Sequence, residues 1–186
     1  TRMTIDYVVN QVEALVKKAG SRDPYIICNA LDYKLHYMDL KQRLKAYYFY
    51  QSRINNIIID ENVIELFRPI LIAHELGHGL LHREIAMMSG FQELEVLEKR
   101  SDKPMEYEAN LFAAELLLED ETVLKHLNEY TFFETASMLN VPAALLDFKF
   151  AILKAKGYSI NSMQIAKSCY LKEDLGAYEV CNDHVF

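Results

Sequence analysis

No uninterrupted apolar run in this sequence exceeds a few residues, far short of the roughly 20 that a helix needs to cross a bilayer, so no membrane span is expected. Basic charge is also scarce. Twenty Lys and Arg stand against 27 Asp and Glu, and the net charge of -7 disfavours a broad electrostatic hold on nucleic acid phosphates or anionic lipid. Any tight DNA contact would need a local basic patch. A disulfide framework is missing too: Cys28, Cys169 and Cys181 are odd in number and lie in unrelated contexts, which suits a reducing compartment and thiols that are buried or inert. Residues 4–19 alternate apolar and charged positions at helical spacing, without the apolar core or small-residue cleavage site of an export signal. A cytoplasmic location is the expectation. Internal repeats and low-complexity tracts are absent.

What remains is an ordinary globular composition, 51% apolar and 25% charged over 186 residues, enough for one compact domain or a catalytic body with a small C-terminal extension. Thr4 can cap a first helix whose stripe is Ile5, Val8, Val9, Val12, Leu15 and Val16, and Gly20 stops it. Asp23 and Pro24 start a second, short helix. Residues 34–38, 44–51 and 56–60 read as strands of a small, largely antiparallel sheet. In residues 69–82 apolar side chains occupy nearly every face, the mark of a buried helix. Further helices are expected over 104–118 and 121–128. A last pair, 132–139 and 143–156, meets at Asn140, Val141 and Pro142.

Polar side chains inside a buried helix need a reason, and residues 74–78 read His-Glu-Leu-Gly-His. His74 and His78 share one helical face, one turn apart, so a single ion can bridge them. Zinc accepts neutral imidazole nitrogens at about 2.0 to 2.1 Å, and the HExxH spacing meets that geometry without bending the helix. Glu75 then faces a water at the metal, as a general base that takes a proton from the attacking water and returns it to the leaving amine. The plainer reading makes both histidines hydrogen-bonded core residues and Glu75 a chance neighbour. Burying all three on an apolar helix would be costly without a cation, however. Gly77 and Gly79 each cost about 1 kcal/mol relative to Ala in a helix interior, which implies that something approaches closely there.

A catalytic zinc usually has three protein ligands and an open position. The extended metzincin motif is excluded, because Leu81 and Glu84 stand where its glycine and third histidine would be. His82 is too far from His74 to join the same ion easily and is expected to pack or face solvent. Glu106 and Glu108 are the candidates. Glu106 shares a helical face with Ala109, Asn110, Ala113 and Leu117, a small face that can be buried and brought against Gly77 and Gly79. Glu108 shares its face with Leu111, Phe112, Glu115 and Glu119, an acidic and partly solvated stripe. Glu106 is assigned as third ligand, with Glu108 as the alternative. Asn110 either bonds the second nitrogen of a ligating histidine or is a surface amide.

The segments HELGHGLLH at 74–82 and EYEANLFAAELLL at 106–118 together resemble the two signatures of the ImmA/IrrE family of zinc metallopeptidases, a pair far more specific than HExxH alone. The resemblance covers roughly residues 52–158. It implies an α+β fold, mostly helical and zincin-like, with about three strands beside the HExxH helix. It also implies one zinc per chain, with the glutamate of ExxAN, here Glu106, completing the site. Several members are intracellular proteins of bacteria or mobile elements that cleave a helix-turn-helix repressor, so a transcriptional repressor is the implied protein substrate. The organisation expected is a metallopeptidase domain over 1–130, a helical pair over 131–158 and an extension of unknown role over 159–186.

Three further features leave choices open. The aromatic run Tyr47, Tyr48, Phe49, Tyr50 either alternates between core and surface or lies on a sheet edge that pairs with extended substrate. Residues 83–103 either wall the substrate cleft or form an ordinary connection. The helical pair around Asn140 has a helix-turn-helix outline, but Lys149, Lys154 and Lys156 are scattered among apolar residues that suit packing better than phosphate contact. No direct nucleic-acid binding is expected. A protein-binding or sensor module with a structural metal is the alternative to a peptidase.

Overall fold

The structure is a computed structural model and describes residues 3–41, 43–84 and 103–160. Helix α1 (Ile5–Ala19) begins where the Thr4 hydroxyl accepts the Tyr7 N–H and ends where Gly20, in the left-handed region at φ 69°, returns its N–H to the Val16 carbonyl. Val8, Val9, Val12 and Leu15 are its buried stripe. The Asp23 carboxylate accepts the Tyr25 N–H to start α2 (Pro24–Ala30), with Pro24 in the first turn. The buried, unpaired Cys28 thiol on α2 has its pKa pushed up to about 12 by burial, which makes it inert. Cys169 and Cys181 lie outside the described residues.

Strands β1 (Tyr33–Met38), β2 (Ala46–Gln51) and β3 (Ile54–Asp60) form one sheet in the order β1-β3-β2. Three strands lie where the pattern puts them, but the sheet is mixed rather than largely antiparallel: β2 pairs antiparallel to β3, and β1 pairs parallel to it. The cause is topological. β2 and β3 form a hairpin across Ser52 and Arg53, both at positive φ (53° and 65°), and β3 then returns between β2 and β1 in the direction of β1. As the central strand, β3 is buried continuously from Asn56 to Asp60.

After a 3-10 turn (Glu65–Phe67), α3 (Arg68–Leu81) runs through the middle of the molecule, buried at Ile70 to Gly77 and at Gly79. It packs on β2 and β3 on one side and on α4 (Lys103–Leu117) on the other, and the α3–α4 contact is the largest between helices. α1 and α7 (Ala143–Ala155) pack in turn against α4. Between α4 and α7 come α5 (Asp120–Glu129) and α6 (Phe132–Met138), the latter started by a reciprocal capping box of Thr131 and Glu134.

Helices α6 and α7 meet at 110°, within the range of a helix-turn-helix. Yet Leu145, Leu146, Phe150, Ile152 and Leu153 of α7 belong to the core, so that face is occupied by packing. Among the described residues no single helix is long and apolar enough to cross a membrane; this bent pair passes only when its two helices are taken together.

Candidate metal centre

Helix α3 presents His74 and His78 one turn apart, and α4 presents Glu106 opposite them. The Nε2 atoms of the two histidines lie 3.1 Å apart, with Glu106 Oε2 3.3 Å from His74 Nε2 and Glu106 Oε1 3.4 Å from His78 Nε2. One ligand atom from each of the three residues falls within a group no more than 4.8 Å across. A tetrahedral ion with bonds of 2.0 to 2.1 Å would separate its ligand atoms by about 3.3 Å, so the spacing fits a zinc-sized ion. The His74 side chain is sealed at 3% exposure, whereas His78 and Glu106 keep 15% and 32%, so the open side of the group is reachable from solvent.

The close approach of α3 and α4 depends on small residues. A Cβ on Gly77 would lie 3.2 Å from Ala109 Cα and from Phe112 Cβ, so Gly77 and Ala109 together set how near Glu106 comes to the histidines. Gly79 does not share this role. Its missing Cβ faces Tyr33 of β1, with the phenol oxygen only 2.6 Å away, so the sheet rather than α4 claims that space.

Each histidine uses its other nitrogen outward. His74 Nδ1 lies 2.9 Å from Asn110 Oδ1, one turn beyond Glu106 on α4. His78 Nδ1 lies 3.2 Å from Nδ1 of His82, and His82 Nε2 lies 2.9 Å from Glu108 Oε2. The partly solvated stripe expected of Glu108 is exposed only at its far end, where the Glu119 side chain keeps 61% exposure; Glu108 and Glu115 are 3% and 1% exposed, Glu108 against His82 and the Met3 N–H, Glu115 against Lys149 and Lys156. His82 is likewise buried. His82 has a visible signal in the sequence, since His74, His78 and His82 recur at one-turn spacing on a single stripe.

Electrostatics mark the group as short of positive charge. Burial pushes the Glu75 carboxyl up to about 7 and Glu106 adds to this, while His74 and a backbone N–H from Tyr48 pull the other way. Burial also draws His78 down to about 4, against its bond to Glu106. His74 moves up instead: burial opposes it, but the bond to Glu106 and the charges of Glu75 and Glu106 together outweigh burial. Against its own burial, Glu106 is held well below the usual carboxylate range by bonds to both histidines. Two carboxylates facing two imidazoles make a place where a divalent cation would relieve both.

The Tyr48 N–H reaches Glu75 because β2 is an edge strand lying against α3. The aromatic run both alternates and sits on that edge: Tyr48 is buried against Tyr33, and Tyr47 and Phe49 pair on the other face. Arg83 lies over the Tyr50 ring at 4.6 Å. Residues 85–102, the rest of the possible cleft wall, lie outside the described residues, as does the extension beyond residue 160.

A mostly helical domain with two imidazoles and a carboxylate converging beside a buried glutamate has the layout of a metallopeptidase. The family model of the IrrE N-terminal-like domain, Peptidase M78, matches residues 28–150, and the chain belongs to this ImmA/IrrE family. The match begins further upstream than the resemblance of the two signatures alone. Among curated relatives, the chain is 33% identical over 140 residues to "Uncharacterized immunity region protein 2" of Bacillus phage phi105, covering 74% of this chain and 85% of that protein. It is 26% identical over 162 residues to "Metallopeptidase ImmA" of Bacillus subtilis (strain 168), covering 86% and 93%. Family and relatives support metallopeptidase chemistry.

Proposed function

We propose that the protein is a zinc metallopeptidase that hydrolyses a peptide bond in an intracellular protein, with a helix-turn-helix repressor of a bacterial or mobile-element gene set as the substrate class. The spacing of the His74, His78 and Glu106 donor atoms, 3.1 to 3.4 Å, carries the reading. Two nitrogens and a carboxylate oxygen suit zinc better than magnesium or calcium, which take oxygen ligands. When bound, one zinc per chain supplies Lewis-acid polarisation of the scissile carbonyl and a more acidic water.

The chain's own residues do the rest. His74, His78 and Glu106 hold the ion, and Asn110 fixes the His74 ring by accepting its Nδ1 proton. Glu75, buried and raised to about 7, accepts the proton of the attacking water and delivers it to the leaving nitrogen. A nearby cation lowers that pKa and keeps the carboxylate ionised at neutral pH. The outer edge of β2 offers main-chain groups to an extended substrate. The name of the phage relative, an immunity region protein, supports a repressor as target.

The test is elemental analysis of the tag-free protein beside His78→Ala, Glu106→Ala and Glu75→Gln, followed by mass spectrometry of a candidate repressor after incubation. About one zinc per chain, lost with His78 and Glu106 but kept in Glu75→Gln, together with a single cleavage that only Glu75→Gln abolishes among metal-loaded proteins, is the expected result. Zinc without cleavage of any repressor would favour a sensor module. A parent that stays metal-free after reconstitution would overturn the assignment.

A further inference from the structure

Beyond the three donors, one chain of hydrogen bonds leads away from the site and ends at the N-terminal segment. His78 turns Nε2 inward and Nδ1 towards His82 Nδ1 at 3.2 Å; His82 Nε2 lies 2.9 Å from Glu108 Oε2; and Glu108 Oε1 accepts the Met3 backbone N–H at 2.6 Å. His82 is tied to His78 a second time, through its own backbone N–H to the His78 carbonyl at 2.9 Å. The side chains of His82 and Glu108 are each only 4% exposed, so water does not satisfy these groups and their direction is set by one another.

On the reading that His78 is a metal ligand, protons can be assigned along the whole chain. A neutral imidazole carries one proton, and a lone pair on Nε2 places that proton on Nδ1. Facing it, His82 Nδ1 must accept. The single proton of His82 therefore lies on Nε2 and is donated to Glu108, which as a carboxylate only accepts. Its other oxygen is held by the Met3 N–H. Every donor meets an acceptor in this arrangement, and reversing the His82 ring proton would set two donors against each other at one junction and leave Glu108 facing a lone pair at the next.

We infer that His82 and Glu108 are positioning residues for the metal: they hold the His78 ring in the orientation and tautomer that present Nε2 to the ion, and they couple the segment at Met3 to the site. A purely structural His82–Glu108 pair would only pin the end of α3 to α4 and would leave metal affinity untouched in the folded protein.

The experiment is zinc affinity by chelator competition on the folded full chain, with nitrogen-15 histidine spectra of the zinc-loaded protein, for the parent, His82→Leu, His82→Gln and Glu108→Gln. Expected are a loss of about 10- to 100-fold in affinity for His82→Leu and about 10-fold for Glu108→Gln, the usual range for outer partners of a ligating histidine. His82→Gln should recover most of the loss, because its amide oxygen can accept from His78 while its NH2 donates to Glu108. The parent should show a slowly exchanging His78 Nδ1–H that is lost in His82→Leu. Unchanged affinity and an unchanged Nδ1–H signal in His82→Leu would overturn the inference and leave the metal reading intact. A loss in His82→Gln as large as in His82→Leu would also overturn it, in favour of packing. If His82→Leu does not fold, Glu108→Gln with parental affinity overturns it on its own. A parent that binds no zinc overturns both readings together.

Discussion

Helix α4 carries a buried polar cluster near each end, and the two solve the same electrostatic problem differently. Near its C-terminus Glu115 meets Lys149 and Lys156, and both lysines also reach Asp120 on α5, so two carboxylates face two ammonium groups. Near its N-terminus Glu106 meets two imidazoles with Glu75 close by, which with neutral rings leaves two negative charges. The titration directions follow. Against burial, contact with the lysines holds Asp120 below its usual value, and contact with Asp120 and Glu115 holds Lys156 above its own, so each is stabilised as an ion. Burial drives Glu75 the other way, to about 7. A buried cluster that closes its own charge is scaffold; one that is short by two positive charges is a place for a divalent cation.

The comparison is broken most severely at Glu75. Glu75→Gln removes the proton acceptor without touching a donor of the triad, so turnover of a cleaved repressor should fall by about 10²- to 10⁴-fold with zinc content unchanged. At the other cluster, Lys149→Ala strips a fully buried charge from Glu115 and Asp120 and should cost about 3 to 5 kcal/mol in urea unfolding. Zinc affinity of the folded variant should stay parental. Loss of zinc in Lys149→Ala would mean that the two clusters are one network. A smaller effect sharpens the contrast from the metal side: zinc at about 100 times its Kd should stabilise the parent by about 2.7 kcal/mol and leave Glu106→Ala unmoved.

Local spacing made one half of the site legible. The one-turn interval of His74 and His78 fixes their shared face whatever the rest of the chain does, and the small Ala109 and Ala113 beside Glu106 tell which side of α4 can come close. The remaining contacts join segments distant in sequence, and periodicity carries no information about which segments meet. His82 reads as a residue to be packed or hydrated, and Glu108 as the alternative ligand on a partly solvated face, until α3 and α4 are laid together. Tyr33, which fills the space beside Gly79, comes from β1. The β2–β3 hairpin turns on Ser52 and Arg53, which take positive φ without the Asn-Gly signal that would advertise such a turn, so the parallel placement of β1 was hidden as well. Lys149 reads as a packing-face residue and is one, while its partner Glu115 reads as part of a partly solvated stripe that proves buried at Glu115 and exposed at Glu119.

The smallest expected effects divide two glycines that lie two residues apart on α3 and face different neighbours. Alanine at either position gains about 1 kcal/mol of helix propensity, which must be set against overpacking of about 1 to 3 kcal/mol. In Gly77→Ala the new Cβ meets Ala109 Cα, a backbone atom that cannot rotate away, together with Phe112 Cβ, both at 3.2 Å, so α4 must give by a few tenths of an ångström. That displacement carries Glu106 away from the imidazoles. A net loss of about 1 kcal/mol in stability should therefore come with weaker zinc binding. In Gly79→Ala the clash falls on the Tyr33 ring, which is buried and packed on Tyr48 with ring centres 6.0 Å apart, so the strain passes into the sheet. Stability should fall by a similar or larger amount while zinc affinity stays parental, and chelator competition on both variants measures this directly. Equal loss of zinc in the two would mean that the sheet, and not only the Gly77–Ala109 contact, sets the distance between the histidines and Glu106.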